Sequence, residues 1–269
     1  MTDFLDNMAA LSAERASQVT VSNAALAAAP PVVPLALRQF DVIAEIKAHS
    51  PAEGALAPAA LDHSEQARKY AQGGAAAISV LTEPSRFAGE LQHLEEVVAA
   101  VPDTPVMRKD FLVEPVQILE ARAAGASGVL LIATMLEDAQ LDEMLDCAFE
   151  HALFVLLEAF TEADLARAST LLEIPAFHNR AEQGQLLIGV NTRNLRTLEV
   201  DANRLQRFAP LLPTAKCVAE SGLRTADDVA RAAQAGYHLA LVGSALMRSD
   251  DPAGLVAAMR QLGSARIAA

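Results

Sequence analysis

One unit recurs along this chain, and its spacing restricts the fold more than any single motif. From residue 42 onward a short apolar, β-rich run is followed by a polar or glycine-containing turn and then by an amphipathic helical stretch. The strand candidates are Val42–Ile46, Ala76–Leu81, Pro105–Arg108, Gly128–Ile132, Phe154–Leu157, Leu186–Val190, Lys216–Ala219 and Leu239–Val242. Helical stretches fill the gaps at Leu61–Gln72, Leu91–Ala100, Pro115–Ala124, Leu136–His151, Glu162–Leu172, Ala202–Phe208, Thr225–Ala235 and Pro252–Leu262. Strand starts recur at roughly 22 to 35 residues, about the length of a strand, a helix and their two loops. Ala124-Gly125 and Ala235-Gly236 place a glycine where a helix should stop, and Glu114-Pro115 and Asp251-Pro252 place a proline where one should start. Eight such units predict an α/β fold, a (β/α)8 TIM barrel. An open doubly wound sheet fits less well: its first turn would carry a glycine-rich dinucleotide fingerprint, whereas here that turn reads Lys47-Ala48-His49-Ser50-Pro51.

Residues 1–40 precede the repeat and read as a short N-terminal helical extension and linker, leaving 41–269 as the barrel catalytic domain. A helix is expected from Phe4 to about Val19, with Phe4, Leu5, Met8 and Leu11 on one face. Pro30, Pro31 and Pro34 then suggest that Ala24–Pro34 is an extended connector.

Composition excludes several classes of function. With 269 residues, 52% of them hydrophobic, the chain can bury one large core. A formal net charge of −13 argues against nucleic acid or an anionic membrane as principal partner. Cys147 and Cys217 are the only cysteines and suggest core thiols in a reducing compartment, not a disulfide framework or a metal site. The amino terminus lacks a basic segment followed by a long apolar one, and no apolar run reaches membrane-spanning length. A cytoplasmic, soluble protein is expected.

If the barrel is right, functional groups gather at the carboxyl ends of its strands. Polar residues do stand there: Glu45 and Lys47, Lys109, Glu158, Asn191 and Arg193, Glu220 and Ser221, Gly243 and Ser244. Any one of them could be a cap or a surface charge, and Glu45 with Lys47 could be an ordinary exposed ion pair. So many on one rim point to a site offering acids, bases and a cation. Two lysines on one rim are expected to push one of them to a lower pKa. Ser221-Gly222 and Gly243-Ser244 follow the last two strands, where small residues let backbone N–H groups approach an anion, so a phosphorylated small molecule is the expected ligand. The plainer reading is that both glycines serve tight turns.

These residues resemble the indole-3-glycerol phosphate synthase family over roughly Phe40 to Leu262. The shared words are Ile43-Ala44-Glu45-Ile46-Lys47 with Ser50-Pro51; Ser79-Val80-Leu81-Thr82-Glu83 with Phe87 and Gly89; Arg108-Lys109-Asp110-Phe111 with Gln117 and Glu120 to Ala126; Gly189-Val190-Asn191 with Arg193-Asn194-Leu195; Ala219-Glu220-Ser221-Gly222; and Leu241-Val242-Gly243-Ser244-Ala245-Leu246-Met247. The resemblance implies decarboxylation and ring closure of 1-(2-carboxyphenylamino)-1-deoxyribulose 5-phosphate to indole-3-glycerol phosphate, carbon dioxide and water in tryptophan biosynthesis. It implies Lys109 as general acid and Glu158 as the carboxylate that takes up a proton when water leaves. Lys47 would bind the substrate's carboxylate or phosphate, held by Glu45, while Asn191 and Glu220 would position the reacting part. Ser50, Ser221, Gly222, Gly243 and Ser244 map to phosphate contacts, and Phe87, Phe111 and Arg193 to the walls around the anthranilate ring. The chemistry so implied needs no metal or organic cofactor, and a monomer or a homodimer would equally serve.

The chain departs from the family pattern at Ala52, where a second serine is usual, at Arg86 and Glu90, and at Ala159-Phe160, where Val-His is usual. A specialised-pathway relative, or a barrel that binds a phosphorylated metabolite without turning it over, are the alternatives. An isomerase of a related phosphoribosyl compound would use an Asp or Cys acid–base pair that this rim does not offer. His49 reads as a solvated loop histidine, and the other five histidines show no metal-ligand spacing.

Overall fold

Along a β-strand successive side chains point to opposite faces, so a strand in a closed barrel sends every second residue into the interior. The computed structural model, which describes residues 4–50, 53–56, 61–193, 201 and 203–267, has this plan. Its barrel strands are β1 (Asp41–Ile46), β2 (Ala77–Leu81), β3 (Val106–Lys109), β4 (Gly128–Ile132), β5 (Phe154–Ala159), β6 (Leu186–Asn191), β7 (Lys216–Glu220) and β8 (Leu239–Val242). All pair in parallel with their sequence neighbours, and β1 closes the cylinder by pairing with both β2 and β8. The fold expected from the repeat is the one observed.

The alternation sorts the apolar residues into two clusters. Val42, Ala44 and Ile46 of β1, Val129 and Leu131 of β4, and Val155, Leu157 and Ala159 of β5 pack outward in the large cluster shared with the helices. Ile43, Met107, Leu130, Leu156, Leu187, Val218 and Leu241 face inward and fill the barrel. The inward series then turns polar at the carboxyl ends, where Glu45 aligns with Ser79, Glu158 with Gly189 and Asn191 with Glu220.

The helical layer follows local rules. His63–Gln72 is capped by Asp62, whose side chain accepts from the Glu65 N–H. Thr161 and Thr225 cap Glu162–Leu171 and Ala226–Gln234 with reciprocal capping boxes. Pro252–Ile267 runs past the expected end at Leu262. Among the described residues no helix is long and apolar enough to cross a membrane.

Several boundaries differ from the sequence reading. β3, β5, β6 and β7 each continue through the polar residue at which the apolar run stops, because the main-chain ladder tolerates any side chain that finds partners. The first helix ends at Ala16 rather than Val19. The connector is not wholly extended: Asn23–Ala28 is a helical segment whose Ser22 side chain accepts from the Ala25 N–H, and the prolines follow it. A further helix, Pro175–Glu182, buries Phe177 and Ala181 at i and i+4. Pro51, Ala52, Asn194, Leu195 and Ala202 lie outside the described residues, as do the first three and last two positions of the expected domains.

Interior packing generates a test. Gly128 stands beside Phe154 across β4 and β5, and a Cβ at Gly128 would run into the Phe154 ring. Gly128→Val should therefore lower stability by about 1–3 kcal/mol through overpacking, read as a reduced denaturation midpoint. An unchanged midpoint would contradict this packing.

Candidate active site

Glu45, Lys109, Glu158, Asn191 and Glu220, inward at the carboxyl ends, open onto one cavity of about 460 Å³. It brings together all the residues singled out in sequence: Glu45, Lys47, Ser50, Phe87, Lys109, Phe111, Glu158, Asn191, Arg193, Glu220, Ser221, Gly222, Gly243 and Ser244. The strands supply the charged floor and the loops supply the walls.

Lys109, the last residue of β3, is the centre of the floor. Its Nζ lies 3.2 Å from Glu220 Oε2 and 3.9 Å from Glu45 Oε2. Glu45 Oε1 in turn holds Lys47 Nζ at 2.5 Å. Glu158 Oε1 accepts from the Asn191 side-chain amide, and Asn191 Oδ1 accepts from the Arg193 N–H at 2.9 Å. The side chains of Glu45 and Glu220 are 4% and 1% exposed, so these charges interact with little solvent screening.

Two ammonium groups and three carboxylates share this buried space, and the Arg193 guanidinium acts on Glu45 from the cavity wall. Burial alone would push the Lys109 pKa down, but the carboxylates of Glu158, Glu220 and Glu45 outweigh it and hold the ammonium above its ordinary value. The expectation that one of the two lysines would be pushed down is not met at Lys109, because carboxylates outnumber lysines around it. Burial pushes Glu45 up, yet Lys47 and Lys109 pull it below the usual carboxylate range. Glu220 moves the other way: burial first, then Glu158, raise it to about 8 against the pull of Lys109. Among the described residues its Oε1 has no hydrogen-bond partner, and it rests where a Cβ on Gly189 would be, which also favours the neutral acid.

The loops position the rest. Glu83 accepts from the N–H groups of Ser85, Arg86 and Phe87 at 2.8, 2.7 and 3.2 Å, which fixes the short helix that carries Phe87. Phe87 and Phe111 lie with ring centroids 6.2 Å apart. After β7, Ser221 and Gly222 adopt φ of 66° and 75°, and Thr192 Oγ1 lies within hydrogen-bonding distance of both carbonyls flanking the turn, Glu220 O and Ser221 O. A left-handed serine costs of order 1 kcal/mol or more, so the turn is held by its surroundings. Gly243 has a further reason to be glycine: a Cβ there would meet Glu45 Oε1 and, at 3.0 Å, Lys47 Nζ. His49 is half-buried, not free in solvent; its Nδ1 bonds to Arg86 O at 2.9 Å.

Some cavity residues were not visible as such in sequence. Phe4 reaches in from the first helix and meets Phe111 edge-on at 6.0 Å. That helix is docked by Arg15, whose guanidinium lies 2.6 Å from Asp110 Oδ1, beside Lys109 in the chain. Phe160, Glu53 and Arg248 also line the cavity. Phe4 carried only the signal of an amphipathic helix face; a contact spanning 95 residues, as between Arg15 and Asp110, leaves no local trace. Among the described residues no group of three or more His, Cys, Asp or Glu side chains could hold a metal ion.

The Glu220 shift fixes a sign. A carboxyl raised from 4.5 to about 8 on folding stabilises the fold at low pH, and this contribution is lost as pH rises through about 8. The stability of Glu220→Gln relative to the parent should therefore increase between pH 5 and pH 9, about one unit outside that window on the alkaline side. Parallel melting curves of the two proteins at both pH values check this.

Known proteins can now be compared with this geometry. The family model for indole-3-glycerol phosphate synthase matches residues 12–259. Curated indole-3-glycerol phosphate synthases include one from a Nocardioides species, 48% identical over 220 residues, covering 81% of this chain and 79% of that protein. Those of Rhodococcus opacus and Mycobacterium avium are 44% and 43% identical, covering 90% and 96% of this chain and 86% and 92% of theirs. Among solved structures, 3-hexulose-6-phosphate synthase from Salmonella typhimurium superposes with a TM-score of 0.63 at 17% identity, covering 84% of this chain and all 100% of that one, a likeness of fold alone. With its barrel, and with a family match spanning most of its length, the chain belongs to the indole-3-glycerol phosphate synthase family.

Proposed function

We propose that the cavity converts 1-(2-carboxyphenylamino)-1-deoxyribulose 5-phosphate to indole-3-glycerol phosphate, carbon dioxide and water, with Lys109 as general acid and Glu158 as general base. The enzyme is a carboxy-lyase of tryptophan biosynthesis, as its family membership entails. The observation that carries the residue assignment is the pairing, in one buried floor, of a lysine held cationic with carboxylates that reach it across the barrel interior from β1, β5 and β7.

The reaction asks for a proton donor where the aromatic carbon attacks the ribulose carbonyl. Lys109 enters the cycle protonated, and the alkoxide developing on that carbonyl oxygen is a stronger base than its amine, so transfer runs downhill. Loss of carbon dioxide restores the electron pair to the ring system. In the elimination of water the departing hydroxyl takes up one proton from the site while the adjacent ring carbon gives one up as the indole double bond forms; accepting the latter is the role given to Glu158, which Asn191 orients. Lys47, braced by Glu45, meets a carboxylate or phosphate of the substrate, and Glu220 borders the reacting carbons. Ser50, Ser221, Gly222, Gly243 and Ser244 take the phosphate. Phe87 and Phe111 flank the anthranilate ring with Arg193 at its edge, and Phe4 and Phe160 extend the apolar wall.

The described cavity is formed by a single chain, so the proposal holds for a monomer or a homodimer. Two free cysteines support a cytoplasmic setting. The barrel of residues 41–269 carries the reaction, and the extension of 1–40 serves it by bringing Phe4 to the cavity.

Two substitutions test the roles. Lys109→Met should lower kcat by about 10² or more with the fold intact. Retention of more than about a tenth of parental kcat would contradict the general-acid role. Glu158→Gln keeps an oxygen to accept from Asn191 but cannot take up a proton. Its kcat should fall by about 10²–10⁴ while the dissociation constant of a phosphorylated product analogue moves by less than about tenfold. A parent that binds the analogue yet forms no indole would instead favour the binding-only barrel.

A further inference from the structure

The end of the cavity nearest Ser244 already holds an anion, and that anion belongs to the protein. Glu53, from the loop after β1, accepts from Ser244 Oγ at 2.9 Å through Oε1. Its Oε2 lies 2.6 Å from the Arg248 guanidinium, and the Arg193 guanidinium stands 3.9 Å from Oε1. All four side chains line the cavity. One hydroxyl donor and two guanidinium groups are what a phosphate oxyanion would seek. Burial pushes Glu53 up, but Ser244 and Arg248 outweigh it and hold it below the usual carboxylate range, so it is charged at neutral pH.

A phosphate dianion and this carboxylate cannot share the same donors, since like charges in contact repel strongly where water is partly excluded. We infer that Glu53 is an internal competitor for the substrate's phosphate: the incoming phosphate displaces its carboxylate from Ser244, and the Arg248 guanidinium so released becomes a phosphate contact. The inference rests on placing the phosphate at Gly243 and Ser244. Displacement is inexpensive because the pair is partly solvated, Arg248 being 53% exposed and Glu53 27%. Arg248 keeps its charge throughout by passing from one anion to another. Glu53 thereby sets the affinity for phosphorylated ligands, a property that no contact to the reacting carbons controls.

The test measures binding of inorganic phosphate, by titration calorimetry without turnover, to the intact parent, Glu53→Gln, Arg248→Gln and the double variant. Glu53→Gln retains a side-chain oxygen for Ser244 but no charge, and should bind phosphate about fivefold more tightly or better. Arg248→Gln should weaken binding, and by a larger factor in the Glu53→Gln background, where Arg248 no longer has its internal partner. Glu53→Ala should also tighten binding, which separates competition from loss of a loop tie. Unchanged or weaker phosphate binding in both Glu53 variants, including no detectable binding by any protein, would overturn the inference. Because turnover is not read, its failure is separate from that of the synthase assignment, which the appearance of indole fluorescence decides.

Discussion

A lysine buried at the end of a barrel strand must be neutralised by groups that the same barrel supplies, and the rest of the site follows from how this is done. Lys109 faces inward from β3, where solvent covers only 14% of its side chain. An isolated ammonium there would lose its proton or destabilise the fold. Glu45, Glu158 and Glu220 stand on β1, β5 and β7 and face the same interior, because a closed cylinder of parallel strands turns its alternate residues to a common axis. Burial and the Glu158 carboxylate raise Glu220 to about 8, so the floor sets a charged donor beside a carboxyl that favours its neutral form.

The same cluster explains residues whose importance lies elsewhere at first sight. Gly189 and Gly243 make room for carboxylates of the adjoining strands, Glu220 and Glu45 respectively. Gly243 thus serves the ion pair of Glu45 and Lys47 as well as any anion at the loop. Arg15 ties the first helix to Asp110, and this brings Phe4 over Phe111 and closes the apolar side of the cavity. Apolar wall and charged floor therefore meet at consecutive residues of one strand end.

Much of this was legible in sequence because it is periodic or local. The strand–helix spacing gave the fold class, and the polar residues after most of the apolar runs marked the rim. Strand ends were less legible: Lys109, Glu158, Asn191 and Glu220 continue the ladder, although a charge after an apolar run reads as a terminus. The direction of the Lys109 shift is not legible for a related reason, since sequence shows two lysines on a rim but not that three carboxylates surround one of them. Phe4, Asp110, Glu53 and Arg248 depend on contacts between segments far apart in the chain; Glu53 and Arg248 are separated by 195 residues. The helix Pro175–Glu182 escaped because its opening proline reads equally well as a break.

A charge cluster that performs a decarboxylating ring closure releases two products from one substrate, and following both at once tests it directly. Purified parent enzyme is mixed with 1-(2-carboxyphenylamino)-1-deoxyribulose 5-phosphate while indole fluorescence and released carbon dioxide are recorded over the same interval. The account predicts that both appear together in equal amounts over many turnovers. Carbon dioxide without indole, or neither product from a protein that still binds a phosphorylated product analogue, would contradict it.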